Sequence, residues 1–248
     1  MAEGFIGAGN VLMQNIGGSG PAGYFDAGEC IKFAIKPNSE RKDMESRGRD
    51  SYGQVMATVS LQRPADISIT FRSPNKDNLA QQFMGEIVEI EQGAATVTDE
   101  AATLVLGRYH QLANQNISAT DFVVTSSDDT TTYVKDRDYK INYRLGLIQA
   151  LEGGSIPVGT PVKIAYSALA MSGSRINGAR KTSIRVGLLL DGKNLADDSN
   201  VLCEAYEAVL APDAEFDFLG DDWAEFTLSG TLVTPSGRVS PFHVDLRD

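Results

Sequence analysis

The sequence predicts a mainly β fold, a β-sandwich or partly open barrel with one short flanking helix and an inserted small β module. Three observations carry this. Apolar and polar residues alternate at period two through most of the patterned segments. Only one segment has helical spacing with start and stop signals. Turn residues separate the alternating runs at short intervals. At 248 residues, 42% hydrophobic and 22% charged, the chain is long enough to bury a core without disulfides or a metal.

Residues up to about Tyr24 are glycine-rich, centred on Gly17-Gly18-Ser19-Gly20-Pro21, and read as an extended arm. Glu29 to Ile35 alternates as a strand. Glu40 to Tyr52 holds four acids and four bases with hardly an apolar residue, the pattern of a long solvated loop. Two strands follow, joined by a tight turn at Arg63-Pro64. Val55, Ala57, Val59 and Leu61 share an apolar face in the first, and Ala65, Ile67, Ile69 and Phe71 in the second. The opposite face of this hairpin carries Gln54, Thr58, Ser60, Asp66, Ser68 and Thr70, and is expected to meet water or a polar partner.

Pro74 to Met84 is the expected helix, capped by Ser73 or Asn75 and stopped at Gly85, with Leu79 and Phe83 on its core-facing stripe. Residues 97–170 form a separate rhythm of short strands, expected as an inserted sandwich-like module, so the main domain is discontinuous, 1–96 and 171–248. Four longer strands end the sequence, at Thr182–Leu190, Val201–Leu210, Ala224–Val233 and Val239–Leu246. Turns are expected at Asp191-Gly192 and Pro235-Ser236-Gly237.

Chemistry-bearing motifs are incomplete. Gly187 to Asn194 approaches a phosphate-binding loop, but Asn194 stands where Ser or Thr is needed, and Leu188 to Leu190 continue a strand. Gly7-Ala8-Gly9 starts a dinucleotide fingerprint without its third glycine. In the acidic run from Asp213, Phe218 and Ala224 occupy the positions where a calcium loop needs Gly and Glu. Alternation is the better reading there, with Glu215 and Asp217 outward and Phe216 and Phe218 packed. Asn116-Ile117-Ser118 fits a glycosylation acceptor, which matters only in a secreted eukaryotic protein. With two histidines, His110 and His243, no catalytic triad, zinc set or activated cysteine can be assembled. Cys30 and Cys203 are expected as free thiols. The chain is therefore expected not to be an enzyme and to need no cofactor or metal.

The net charge of −11 opposes sequence-independent nucleic-acid binding. Asp191 to the end holds thirteen acids and three bases, whereas the first 190 residues are nearly neutral with twenty acids and nineteen bases. The opening residues show no export signal, and no stretch of the sequence approaches the roughly 20 apolar residues needed to cross a bilayer, so a soluble product without membrane binding is expected.

The order of features carries a resemblance. A glycine-rich arm, a strand, a charged loop and a hairpin precede Asn75-Lys76-Asp77-Asn78-Leu79-Ala80-Gln81-Gln82-Phe83-Met84-Gly85. Later come Gly187 to Asn194, Pro212 to Phe218, and Phe226-Thr227-Leu228-Ser229-Gly230-Thr231-Leu232. Over roughly residues 5–92 and 175–248, this resembles the major tail tube proteins of tailed bacteriophages.

The resemblance implies a homohexameric ring whose inner sheets join around a lumen, and rings stacked into a virion tail tube for genome ejection. Assembly would take place in the host cytoplasm. Expected partners are further copies of the chain, the tape-measure protein, tail terminator and baseplate proteins, and double-stranded DNA in transit. By analogy the tail is long, flexible and non-contractile, siphovirus-like. Candidate lumen-facing residues are Gln54, Thr58, Ser60, Asp66, Ser68, Thr70, Glu225 and Thr227. Lysine at Asp66 and Glu225 is expected to slow DNA delivery while leaving tubes intact. Candidate inter-ring contacts are Arg41, Lys42, Asp43, Glu45, Arg47, Arg49, Asp50 and Tyr52, with the N-terminal arm. A surface-exposed β-sandwich binding module is the alternative. A hydrolase using paired carboxylates of the acidic block is a third reading, and it requires a concave site.

Overall fold

Alternating side chains bury one face of the core strands, and the computed structural model, which describes residues 4–17, 23–72 and 75–247, is mainly β with one helix among them. In chain order the elements begin with β1 (Gly7–Asn15), β2 (Phe25–Asp26), β3 (Cys30–Glu45), β4 (Val55–Phe71) and α1 (Lys76–Gln82). β5 (Glu86–Gln92), β6 (Ala95–Thr103), β7 (His110–Gln111), β8 (Val123–Ser126), β9 (Thr132–Tyr133), β10 (Tyr139–Asn142), β11 (Leu147–Ala150), β12 (Pro161–Ala168) and β13 (Met171–Asn177) follow. The last strands are β14 (Ile184–Asn194), β15 (Asn200–Pro212), β16 (Phe226–Leu232) and β17 (Phe242–Arg247).

The chain divides into two compact units, Met1–Ile87 with Ile176–Asp248, and Val88–Arg175. The division falls several residues outside the expected limits of 97 and 170, and the inserted unit opens its own sheet at Ala95, where β6 pairs with Ala168 of β12. The first unit is an eight-stranded sheet in the order β2-β1-β14-β15-β16-β4-β3, with β17 also on β15, and no sheet closes into a barrel. Its core takes Val11 and Met13 from β1, Ile67, Ile69 and Phe71 from β4, Val186 and Leu188 from β14, and Phe226 and Leu228 from β16. The Phe71 and Phe226 rings lie 5.4 Å apart across paired strands.

In the second unit a four-stranded sheet, β6-β12-β8-β9, and a three-stranded sheet, β10-β11-β7, contribute to one core. Tyr166, Leu104, Ile148 and Ile164 are fully buried there. Asp138 is a buried anchor, accepting hydrogen bonds from the Val134 and Ser155 amides at 2.7 and 2.9 Å and an ion pair from Arg137. The Arg137 guanidinium and these amides hold its carboxyl well below the usual carboxylate range.

Several sequence expectations are corrected. The supposed N-terminal arm is, over Gly7–Asn15, a strand paired antiparallel along β14. Its glycines permit close approach and do not confer looseness: a Cβ on Gly9 would lie 2.5 Å from the Asp191 carbonyl oxygen. Gly18 to Pro21, in the arm's expected centre, lie outside the described residues. Asp191-Gly192 is not a turn, because β14 runs through it to Asn194, whose side chain ties Ile6 and Gly4 to the turn that follows.

The charged loop and the hairpin turn also change. Glu40 to Glu45 is strand, paired with β4 from Leu61 to Val55, and Arg63-Pro64 lies inside a single 17-residue strand. Polar side chains on both faces disguise these residues as loop.

The helix is shorter than expected, Lys76–Gln82, with Asn75 as its cap; Ser73 and Pro74 lie outside the described residues. It buries Asn78, Ala80, Gln81 and Gln82, while Leu79 and Phe83 are only half-buried. Its amides serve loop carbonyls, Asn78 donating to Ala27 and Gln82 to Ala214, each at 2.6 Å. Phe218, expected to be packed, is 73% exposed, because residues 213–225 form an irregular connection and no strand alternation applies. Both cysteines are free; Cys203 is buried, and burial pushes its thiol up to about 11.

Candidate functional site

Three strands build a polar sheet face opposite the first unit's core. Cross-strand registers align Lys32, Thr70 and Thr227 in one row, Ala34, Ser68 and Ser229 in the next, and Lys36, Asp66 and Thr231 in the third. Directly paired residues share a face, and on the other face lie Ile67, Ile69, Phe71, Phe226 and Leu228. Thr70 is buried and Thr227 half-buried, and their hydroxyls, 2.9 Å apart, satisfy each other. Arg72 extends it and pairs with Glu225 at 2.7 Å. Asp66 accepts a 2.7 Å hydrogen bond from the Asn38 amide.

Asp66, Ser68, Thr70, Glu225 and Thr227 are thus together on one surface. Thr58 and Ser60 are not with them. Lys36 pairs with Asp66, yet Asn38 pairs with Arg63, so β4 holds one more residue than β3 across this step. A one-residue offset in one strand moves every later side chain to the opposite face. Thr58 and Ser60 consequently share the side of Ile67 and Ile69, while Val59, Leu61 and Arg63 continue the polar face. Pro64, which has no N–H to offer a ladder, sits at this bulge. The Asn38 amide clamps the bulge by donating to the Pro64 carbonyl, at 3.1 Å, as well as to Asp66. Gln54 precedes β4 and belongs to the turn, its amide donating to the Ser51 carbonyl.

Lysines and arginine on the polar face were missed by looking for acids. Lys32 and Lys36 are exposed, Lys36 directly opposite Asp66 and Lys32 opposite Thr70, and Arg72 neutralises Glu225. Alternation alone could have found Lys32 and Lys36, which share the parity of Ala34 in a segment already read as a strand. The face is charge-balanced rather than acidic.

Beyond the bulge the β3–β4 hairpin continues with both faces bare. Every residue from Val55 to Pro64 is exposed, including Val55, Met56, Val59 and Leu61. Arg41 donates to Asp43 at 2.7 Å, Thr58 does the same at 2.7 Å, and Arg63 pairs with Glu40. The Arg41 and Thr58 hydrogen bonds hold the Asp43 carboxyl below its ordinary value. Lys42 lies 4.0 Å from Glu40, and Glu45 pairs in register with Val55.

The tip is an ordered turn, with Ser46 buried and its hydroxyl 2.6 Å from that of Ser51. Arg47, Arg49 and Asp50 extend from it with no ion pair among the described residues, and Tyr52 is 78% exposed. The inter-ring candidates therefore divide into a self-paired strand group and an unpaired tip.

No group of metal-ligating side chains occurs among the described residues, and no helix is long and apolar enough to cross a membrane. The arrangement offers surfaces for pairing.

The chain belongs to the family described as "Protein of unknown function UCP028589", which matches residues 4–241. No curated protein matches it.

Proposed function

We propose that the chain is the structural subunit of a phage tail tube, in which hexameric rings stack and their polar lumen conducts DNA during ejection. The resemblance supplies the class, and one observation carries the reading. Among the described residues β3 is an open sheet edge 16 residues long, and its outer half, with the adjoining half of β4, rests on no core. Unpaired strand edges of this length invite another chain, and closure into a ring removes the edge.

The polar face of β3, β4 and β16 suits a channel wall. Its side chains are mostly short, and Lys32, Lys36 and Arg72 offset Asp66 and Glu225. A polyanion passing over such a face meets neither a continuous basic track nor a strong barrier, and charges beyond about 8 Å are screened at physiological salt. Tape-measure, terminator and baseplate proteins are the remaining partners of this reading, and it needs no enzymatic step.

Negative-stain microscopy of the concentrated protein tests it. Rings or tubes of uniform diameter are expected, together with peptides of the chain in purified virions. A monomer at high concentration, absent from virions, would remove the proposal.

A further inference from the structure

Two exposed surfaces of the first unit are complementary and lie at opposite ends of the same strand. The hairpin tip, Ser46–Gln54, carries Arg47 and Arg49 against a single acid, Asp50, a net charge of +1 with no ion pair to any of the three among the described residues, and the exposed ring of Tyr52. The β15–β16 connection, residues 213–225, contains six acids and no base. It also displays Phe218, Leu219 and Trp223, the last two 91% exposed and the tryptophan the only one in the chain.

This connection is held in place. Gln82 of α1 grips the Ala214 carbonyl, and Phe83 stacks on Phe218 at 5.6 Å and meets Phe216 edge-on at 5.8 Å. It is an anchored platform with an apolar summit and an acidic surround.

The tip immediately precedes Val55, the first residue of β4, whereas the platform leads into Phe226, which pairs with Phe71, the last residue of β4. Sixteen residue steps at about 3.3 Å separate the two by roughly 50 Å along the strand. One copy cannot bring its own tip onto its own platform.

We infer that the tip of one copy docks on the 213–225 platform of the next. Arg47 and Arg49 would lie among its acids and over the Trp223 face, where a guanidinium is attracted both by charge and by the ring quadrupole. Distinct surfaces at opposite ends make this contact heterologous, and repeating it by translation gives an open stack. The inference rests on the tube reading and names the two surfaces that join successive rings.

Charge reversal tests it on the full-length chain. Arg47→Glu with Arg49→Glu, and separately Asp221→Lys with Asp222→Lys, are compared with the fourfold combination by negative stain and sedimentation velocity. Each double variant should keep the wild-type melting curve, since all four side chains are exposed, yet form tubes roughly tenfold less often and accumulate single rings. The fourfold variant should recover stacking, because each reversed tip meets a reversed platform.

Tubes undiminished in the double variants, or no recovery in the fourfold variant, would overturn the docking. If the wild type gives linear oligomers without rings, and the double variants abolish them, the docking stands and the tube reading falls. A wild type that remains monomeric overturns both.

Discussion

The two halves of the β3–β4 hairpin share one pair of strands and have opposite circumstances. From Ala65 to Phe71, β4 sends Ile67, Ile69 and Phe71 into the core and lies between β3 and β16. From Val55 to Pro64, it pairs only with β3 among the described strands, and every residue is exposed. Hydrogen bonding alone does not distinguish these halves, since both are laddered. Burial does. A two-stranded ribbon is marginal by itself in water, so the outer half borrows its order from the inner one and from the cross-strand groups it carries. A chain that keeps such a ribbon bare has apolar Val59 and Leu61 available for a partner.

The sharpest way to break the comparison is to empty one side chain in each half. Phe226→Ala, opposite Phe71, should cost about 3–5 kcal/mol in denaturant unfolding monitored under dispersed conditions. Val59→Ala should stay within about 0.5 kcal/mol in the same measurement. Equal losses would show that the outer half is packed within the single chain.

A somewhat smaller effect is expected where strands pass too closely for any side chain. At Gly230 an added Cβ would stand 2.0 Å from the Val209 carbonyl oxygen, so Gly230→Ala must spread β15 from β16 at about 1–3 kcal/mol. In contrast, Gly53 in the tip has open space around it but a positive φ of 81°, so Gly53→Ala strains only a local turn.

The smallest of these changes concerns the second unit and depends on pH. Asp138 ionises more readily folded than unfolded, so its stabilisation is fully present above the unfolded carboxylate value of about 3.9. It is lost as pH falls through the depressed folded value. Asp138→Asn should therefore lower the melting temperature of the unit by a few degrees at pH 7, with the gap to wild type closing in strong acid. A gap independent of pH would assign the effect to shape and not to charge.

Much of the fold was legible because burial on one face writes itself into the sequence. β15 alternates on either side of Tyr206-Glu207 and β16 from Phe226 to Ser229, and the strands from β8 to β12 follow their turns. β1 was hidden because Gly7 and Gly9 erase the alternation that Val11 and Met13 complete. The far half of β3 was hidden for the opposite reason, since charged residues on both faces leave no period to read. The candidate face was legible in its inner rows, Asp66, Ser68, Thr70 and Thr227, and misjoined beyond Pro64. The 213–225 platform escaped because its aromatic and acidic residues imitate a strand.

By itself the sequence determined the β class, the single helix among the described residues, the acidic C-terminal block and the apolar set that must be buried. These follow from local periodicity and composition, which each segment carries alone. Only the tertiary structure decided which rows meet across strands. Register is a relation between segments: residues 36 and 66 pair, then 38 and 63, and that one extra residue in β4 fixes which side chains line the same surface.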